Sequence, residues 1–388
     1  MDGGHPTRTA APARHRAPRL AGVDVARGLA LLGMIAVHVF DQFTRRGEPT
    51  VATMIAGGRA ATTFVLLAGV GLALLSGGRH PVEGRVRGAV AVRAVLVGAI
   101  GLVLGGLVGK ATEVEVILPY YGLLFLLAIP LLYARPRTLA LACAALVAVS
   151  PVVILWAVAD GGGADLSAGG NLTFGALAED PGGFLAALFV TGSYPVLAYF
   201  AFLCAGMAIG RLDLSSAKVA GALLGGGLAL AVGARLLSYL LLVRAGGLAR
   251  LLDLDDGGSV RRATNRLLWS SDDPVGSWWY LAVPAPHSNT QIDLMHTLGS
   301  AMAVLGAALL VCRVPALARL LGPLAAAGSM TLTLYVGHLL VLATGLIDNE
   351  PALFALLAAG ALTFGHLWRR RLGQGPLERM VSTVSARF

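Results

Sequence analysis

Apolar runs dominate the chain, and they recur at lengths that match a bilayer. Mostly apolar windows fall at 20–40, 58–76, 89–109, 116–133, 138–158, 195–210, 217–242, 293–312, 324–346 and 351–368. Crossing about 30 Å of hydrocarbon at 1.5 Å per residue takes roughly 17–25 such residues. Segments this long and uniformly apolar suit helices, which close their backbone hydrogen bonds internally, rather than the alternating strands of a barrel. The pattern predicts an all-α polytopic membrane bundle of about ten transmembrane helices, or eleven if 183–192 is an extra or re-entrant piece. Residues 1–18, rich in Pro, Arg and Ala, are expected to be a disordered basic segment. The bundle then occupies 19–372 with long loops at 159–194 and 243–292, and 373–388 forms a tail. The first span is too long for a signal peptide and lacks a small-residue cleavage site, so a retained helix is expected.

Composition supports this class, since 56% hydrophobic residues with 13% charged cannot make a soluble globule of 388 residues. Arginines sort the loops into two sets. Arg8, Arg14, Arg16 and Arg19 precede the first window, and Arg79, Arg85 and Arg87 follow the second. Arg135 and Arg137, Arg211 and Lys218, Arg313 and Arg319, and Arg369 to Arg371 continue the alternation. By the positive-inside rule these sides are cytoplasmic, which places both termini in the cytoplasm and the 159–194 and 243–292 loops outside. Glu113, Glu115, Asp160, Asp165, Glu179 and Asp180 fall on the outer side. The net charge of +9 is then a topology signal directed at anionic membrane lipids, and no nucleic acid is implied. Lys110 and Lys218 are the two lysines against heavy Arg, Ala and Gly usage, a compositional hint of a GC-rich bacterium and hence of a bacterial cytoplasmic membrane. Cys143, Cys204 and Cys312 lie within windows and form neither a disulfide framework nor a metal-ligand spacing. Gly101, Gly105 and Gly109 give the third window a small-residue face suited to close helix packing.

Ionisable residues inside apolar windows cost several kcal/mol unless paired, and they mark functional paths. At 100° per residue, Asp24, Arg27 and His38 share one stripe of the first helix, with Asp41 nearby. Arg27 and His38 are eleven residues, hence about 16 Å, apart along the axis. Asp24 and Arg27 equally suit an orienting ion pair at the interface. Polar groups accumulate toward the other end in Arg59, Tyr120, Tyr121, Tyr194, Arg235, Asp293, His296, Tyr335 and His338, the candidate substrate-binding set. A histidine at a cavity mouth can take a proton from a hydroxyl or amine during acyl transfer. His38 is the candidate base, with Asp41 or Asp293 to orient it. His38, His296 and His338 lack an HxH or HxxxH spacing, and no metal is expected. Arg27 with Arg93 and Asp24, and Arg85 or Arg87 alongside, makes a cationic mouth whose guanidinium groups suit phosphates such as those of coenzyme A. The stretch WSSDDPVGSWWYLAVPAPHSNTQID reads as a lid, though Trp278, Trp279 and Tyr280 equally suit interfacial anchoring.

RLAGVDVARGLALLGMIAVHVF resembles the first span of the transmembrane acyltransferase superfamily, in which an Arg-Gly pair is followed by His eleven residues after the Arg. GRAATTFVLLAGVGLAL is similar to the second span of those proteins, and PYYGLLFLLAIPLL is similar to a middle one. Bacterial proteins of the heparan-alpha-glucosaminide N-acetyltransferase-like group are similar, and WRRRLGQGPLERMV resembles the C-terminal signature of YeiB-like membrane proteins. The resemblance implies acetyl-CoA or another acyl-CoA bound from the cytoplasm, with the acyl group passed to an outer acceptor, often a sugar or glycan. It places Arg27 on the donor side and makes His38 catalytic. The lysosomal glycan acetyltransferases carry Asn in place of His38 and a catalytic His in the loop after the first span. Here that loop, DQFTRRGEPTVATMIAG, has no His. Either His38 serves, or the chemistry is lost. Direct and ping-pong transfer both stay open, as does a homodimer. The rival readings are a transporter or flippase whose path the polar stripe lines, and a structural scaffold. Broken helices at matching positions of two halves would favour transport, and no such symmetry is seen, since the breaks at Pro195 and Pro323 sit at window edges.

Overall fold

In a computed structural model, residues 20–81, 86–109, 111–159, 170–252, 259–271 and 276–388 are described. The expected disordered segment 1–18, Arg8, Arg14, Arg16, Arg19, Arg85, Lys110, Asp160 and Asp165 lie outside them, as do parts of the 243–292 loop. Among the described residues the chain is helical, with one isolated β-bridge between Phe43 and Pro49. Among the described residues, seven helices are long and apolar enough to cross a membrane: α1 (Ala21–Val39), α2 (Val51–Leu75), α3 (Val86–Val108), α5 (Pro136–Ala157), α8 (Ala217–Arg244), α9 (Gln291–Val311) and α12 (Glu350–Leu372). Two bent pairs raise the number to nine. They are α6 (Pro181–Thr191) with α7 (Val196–Gly210), bent by 49°, and α10 (Gly322–Gly328) with α11 (Thr331–Leu342), bent by 84°. A shorter apolar helix, α4 (Leu118–Leu131), lies between α3 and α5, and an amphipathic helix, α13 (Pro376–Ser385), ends the chain.

Each apolar window thus holds an apolar helix or bent pair, but two windows are not the straight rods the pattern predicts. The 183–192 piece is the first limb of a broken helix. It ends in a π-helical turn at Ala187–Thr191, and Pro195, which has no N–H to continue the ladder, caps α7. The 324–346 window breaks at Met330, whose φ of −137° and ψ of 44° leave the helical region. Such a break exposes backbone N–H groups that apolar surroundings would penalise. Glu378 from α13 meets that demand, accepting from the N–H of Leu332 at 2.7 Å and of Thr333 at 3.1 Å.

Helices α1, α2 and α9 bury most of their surface, whereas α3, α5, α8 and α12 turn most of theirs outward. The centre is held by backbones that touch. A Cβ on Gly328 of α10 would overlap the Asp24 carbonyl of α1, and one on Gly206 of α7 would overlap the Leu66 carbonyl of α2. In apolar solvent such contact supplies packing that burial from water cannot. The expected small-residue face of α3 is used in this way: Gly101 abuts Pro119 of α4, and Gly105 and Gly109 abut Leu172 and Asn171 of the returning loop.

Gly328→Val is expected to destabilise the protein by at least about 2 kcal/mol, because the added carbons force α10 off α1. Gly225→Ala on the outer face of α8, where nothing lies within 4 Å, should be neutral. Thermal unfolding in detergent compares the two; equal melting temperatures would refute the close-contact account.

Candidate functional site

Three polar groups follow one another, built by different elements, and α1 supplies residues to the first two. At the Asp24 end, Asp24 is 7% exposed and pairs with Arg27 at 3.7 Å and with Arg369 of α12 at 3.7 Å. Arg27 also donates to the Leu67 carbonyl of α2 at 3.2 Å. Arg93 of α3 lies within electrostatic reach of both Arg27 and Glu378. The structure therefore brings Asp24, Arg27 and Arg93 together and adds Arg369, which the sequence pattern presents as a topology charge, and Glu378, which no pattern in the sequence singles out. Tyr121, buried in α4, senses both Arg27 and Tyr335. It links this end to the next group.

At the other end of α1, two imidazoles meet. The His38 ring of α1 stacks on His338 of α11 with centroids 5.3 Å apart, and Nδ1 of His38 is 2.9 Å from Nε2 of His338. Proton positions follow from the partners. His338 Nδ1 faces the Leu334 carbonyl at 3.2 Å, and a carbonyl only accepts, so Nδ1 carries the hydrogen. Nε2 of a neutral His338 is then an acceptor, and His38 Nδ1–H donates to it. Nε2 of His38 is left with its lone pair, which is the form of a base. Tyr335, edge-on to both rings, accepts from the Ile117 N–H at 3.3 Å. Neither Asp41 nor Asp293 orients His38. Helix α1 ends at Val39 and Phe40 is extended, which carries Asp41 off the stripe to an exposed position. Asp293 accepts from the Asn289 N–H at 3.2 Å and lies near Arg59 and Arg235.

Beyond the histidines lies an aromatic cluster. Tyr120 and Tyr194 meet at 5.5 Å, Tyr194 and Tyr199 at 5.5 Å, and Tyr194 and His287 at 5.4 Å, all edge-on. His287 comes from the long loop, at a φ of 62° that few non-glycine residues adopt. Its Nδ1 accepts from the Tyr199 hydroxyl at 3.2 Å, and its ring donates to the Ser193 carbonyl. Ser193 also hydrogen-bonds Glu115 through its hydroxyl and main chain. Burial pushes the Glu115 carboxyl up, against those bonds, and pushes the His287 imidazole down to about 4. His287 lies within electrostatic reach of His38. It escaped sequence reasoning, although it is the one histidine of the 243–292 loop.

A separate group holds Arg59, Arg235, Asp293 and His296. His296 Nδ1 donates to the Ala231 carbonyl at 3.0 Å, and its Nε2 accepts from Arg59 at 2.9 and 3.1 Å. Both of its nitrogens are thus engaged, and it does not join His38 and His338. Arg235 lies 5.0 Å from the Trp269 ring centroid, at the end of a loop helix, Val260–Trp269. Gln42 and Asn265 tie that loop helix to residues 42–47. The loop therefore covers this end of the bundle. Trp279 stacks under Arg250 instead of standing free as an anchor, whereas Trp278 is exposed.

Residues 19–241 match the family model described as heparan-alpha-glucosaminide N-acetyltransferase, catalytic. Residues 274–387 match a second model, a protein of unknown function, DUF418. The first covers more than half of the chain and includes Arg27 and His38; the second includes His287, Tyr335, His338 and Glu378. The contact between His38 and His338 joins the two matched regions. No curated protein matches the chain.

His287 titrates near 4 when folded and near 6.5 when unfolded, so the unfolded chain takes up its proton first. The stability this supplies is complete above pH 6.5 and is lost as pH falls toward 4, at up to about 1.4 kcal/mol per pH unit. His287→Asn, which tolerates the positive φ, should flatten the fall of melting temperature over that window. An unchanged pH profile would contradict the buried neutral imidazole.

Proposed function

Because the chain belongs to the heparan-alpha-glucosaminide N-acetyltransferase catalytic family, we propose that it is a multi-pass membrane acyltransferase that moves an acyl group, acetyl first, from acyl-CoA to a sugar or glycan acceptor across a bacterial cytoplasmic membrane. In this reading ten spans return both termini to the cytoplasm, and the donor enters at the Arg27 end. The observation that carries the reading is the His38–His338 pair, which leaves a lone pair on His38 Nε2 midway along a polar column. Arg27 and Arg93 hold donor phosphates, with Asp24 fixing Arg27. Tyr120, Tyr121, Tyr194 and Tyr335 give aromatic faces and hydroxyls to the acceptor. Arg59, Arg235, Asp293 and His296 form the far wall under the loop. His38 Nε2 takes the proton from the acceptor hydroxyl or amine while its oxygen or nitrogen attacks the thioester carbonyl. The carbon–sulfur bond then breaks, and the proton leaves with the thiolate as free coenzyme A. In this reading His338, rather than Asp41 or Asp293, orients His38.

One observation favours a transporter or flippase instead: the bends of 49° and 84°, since broken helices line the sites of many carriers. The two readings part on acetyl-CoA. The purified wild type is expected to bind it saturably, Arg27→Ala to bind it at least about tenfold more weakly, and His38→Ala to bind it unchanged while transfer falls about 10²- to 10⁴-fold. Calorimetry with variants checked for folding measures this. A well-folded wild type that binds no acetyl-CoA would sink the acyltransferase reading and favour transport.

A further inference from the structure

Two residues of the turn that leads into α9 hold left-handed backbones, His287 at a φ of 62° and Asn289 at 53°. Asparagine tolerates that region better than most side chains, so the backbone alone accounts for an asparagine or a glycine at 289. It does not account for what the side chain does. Asn289 is 7% exposed, its Nδ2 donates to the His287 carbonyl at 2.9 Å, and among the described residues its Oδ1 has no hydrogen-bond partner. That carbonyl only accepts, which fixes the two amide atoms: the one left over is an acceptor.

The polar groups around it are engaged. The Ser288 hydroxyl donates to the Ala285 carbonyl at 2.8 Å, and the Thr290 hydroxyl donates to the Val283 carbonyl at 2.6 Å and accepts from the Asp293 N–H at 3.1 Å. Asp293 Oδ2 accepts from the Asn289 N–H at 3.2 Å, and His287 uses its two ring nitrogens on Tyr199 and Ser193. An acceptor left unpaired at such burial costs about 1–3 kcal/mol. Glycine would fit the same backbone without that cost. An oxygen kept there calls for a donor from outside the chain.

Asn289 also stands where two polar groups meet. Through the His287 carbonyl it adjoins the ring that packs on Tyr194 and Tyr199; through its N–H it adjoins Asp293, one helical turn before His296 and its partner Arg59. Aromatic faces beside a few fixed polar atoms make a small-molecule site, and for a sugar the faces cover C–H surface while the polar atoms take hydroxyls. We propose that Asn289 Oδ1 accepts a hydrogen bond from a hydroxyl of the sugar acceptor, and that this contact selects among sugars. The inference rests on the acyltransferase reading above and adds to its acceptor site a residue that reading does not use. An atom that can only accept discriminates against a sugar in which that hydroxyl is missing or is replaced by another acceptor.

The test is titration calorimetry of wild type and Asn289→Gly, in the absence of acetyl-CoA, with the methyl glycosides of glucose, galactose and mannose, with D-glucosamine, and with the monodeoxy analogues of each sugar that binds. Wild type should bind one of these sugars saturably and one of its deoxy analogues about tenfold more weakly. Asn289→Gly should bind that sugar about tenfold more weakly and no longer distinguish it from the analogue, while its separately measured acetyl-CoA affinity stays at the wild-type value. A folded Asn289→Gly with wild-type affinity and wild-type discrimination overturns the proposal and gives the oxygen to a trapped water. A wild type that binds a sugar and all its deoxy analogues equally overturns it with no variant needed, so the test survives misfolding of Asn289→Gly. A wild type that binds acetyl-CoA and none of the sugars overturns the proposal and spares the acyltransferase reading. A folded wild type that shows the sugar discrimination but binds no acetyl-CoA defeats the acyltransferase reading and keeps the sugar contact.

Discussion

A 2.9 Å hydrogen bond between the half-buried imidazole of His38 and the buried one of His338 ties the first helix to the second limb of a broken one. Much of the structure serves that contact. An unpaired imidazole at this depth would carry the cost of an unsatisfied polar group in a medium that offers no water. The pair avoids the cost only when α11 is turned so that His338 stands over α1. That orientation needs the bend at Met330, and the bend needs Glu378 on the freed N–H groups and Gly328 against the backbone of α1. A histidine pair, a kinked span and a C-terminal carboxylate are thus one arrangement.

The arrangement also explains how one polar column can run through a bundle whose outer helices are almost wholly apolar. Its members come from α1, α3, α4, α7, α11 and α12, the loop before α9, and the break between α6 and α7. Charges gather at one end, where Asp24 balances Arg27 and Arg369; aromatic hydroxyls gather at the other, where Ser193 serves Glu115, Tyr120 and His287. Such a division, with guanidinium groups at one end and tyrosines at the other, suits the proposed transfer between a phosphorylated donor and an uncharged acceptor.

The sequence showed the helical membrane class and the positions of the spans, because span length and apolarity are local properties. It also exposed Asp24, Arg27, Arg93 and His38, since a charge in an apolar window stands out against its neighbours. What it hid depends on partners far along the chain. His38 and His338 are 300 residues apart, and no periodicity links them. The kink at Met330 has no proline at the break, and the carboxylate that satisfies its freed N–H groups, Glu378, lies more than forty residues further along the chain. Asp41 was misplaced because the stripe was extended past Val39, where the helix stops. His287 was passed over because turn residues surround it, and only its packing against Tyr194 and Tyr199 brings it to the site.

The most direct test of the central claim is acyl transfer itself. Proteoliposomes would be supplied with acetyl-CoA labelled in the acetyl group and with a panel of hexosamines and simple glycans, and label would be followed into the acceptor. Transfer of label by the wild type, with loss of about 10²-fold or more in a folded His38→Ala that still binds acetyl-CoA, is the predicted result. Transfer undiminished in His38→Ala, or passage of acceptor across the membrane with no label attached, would contradict it.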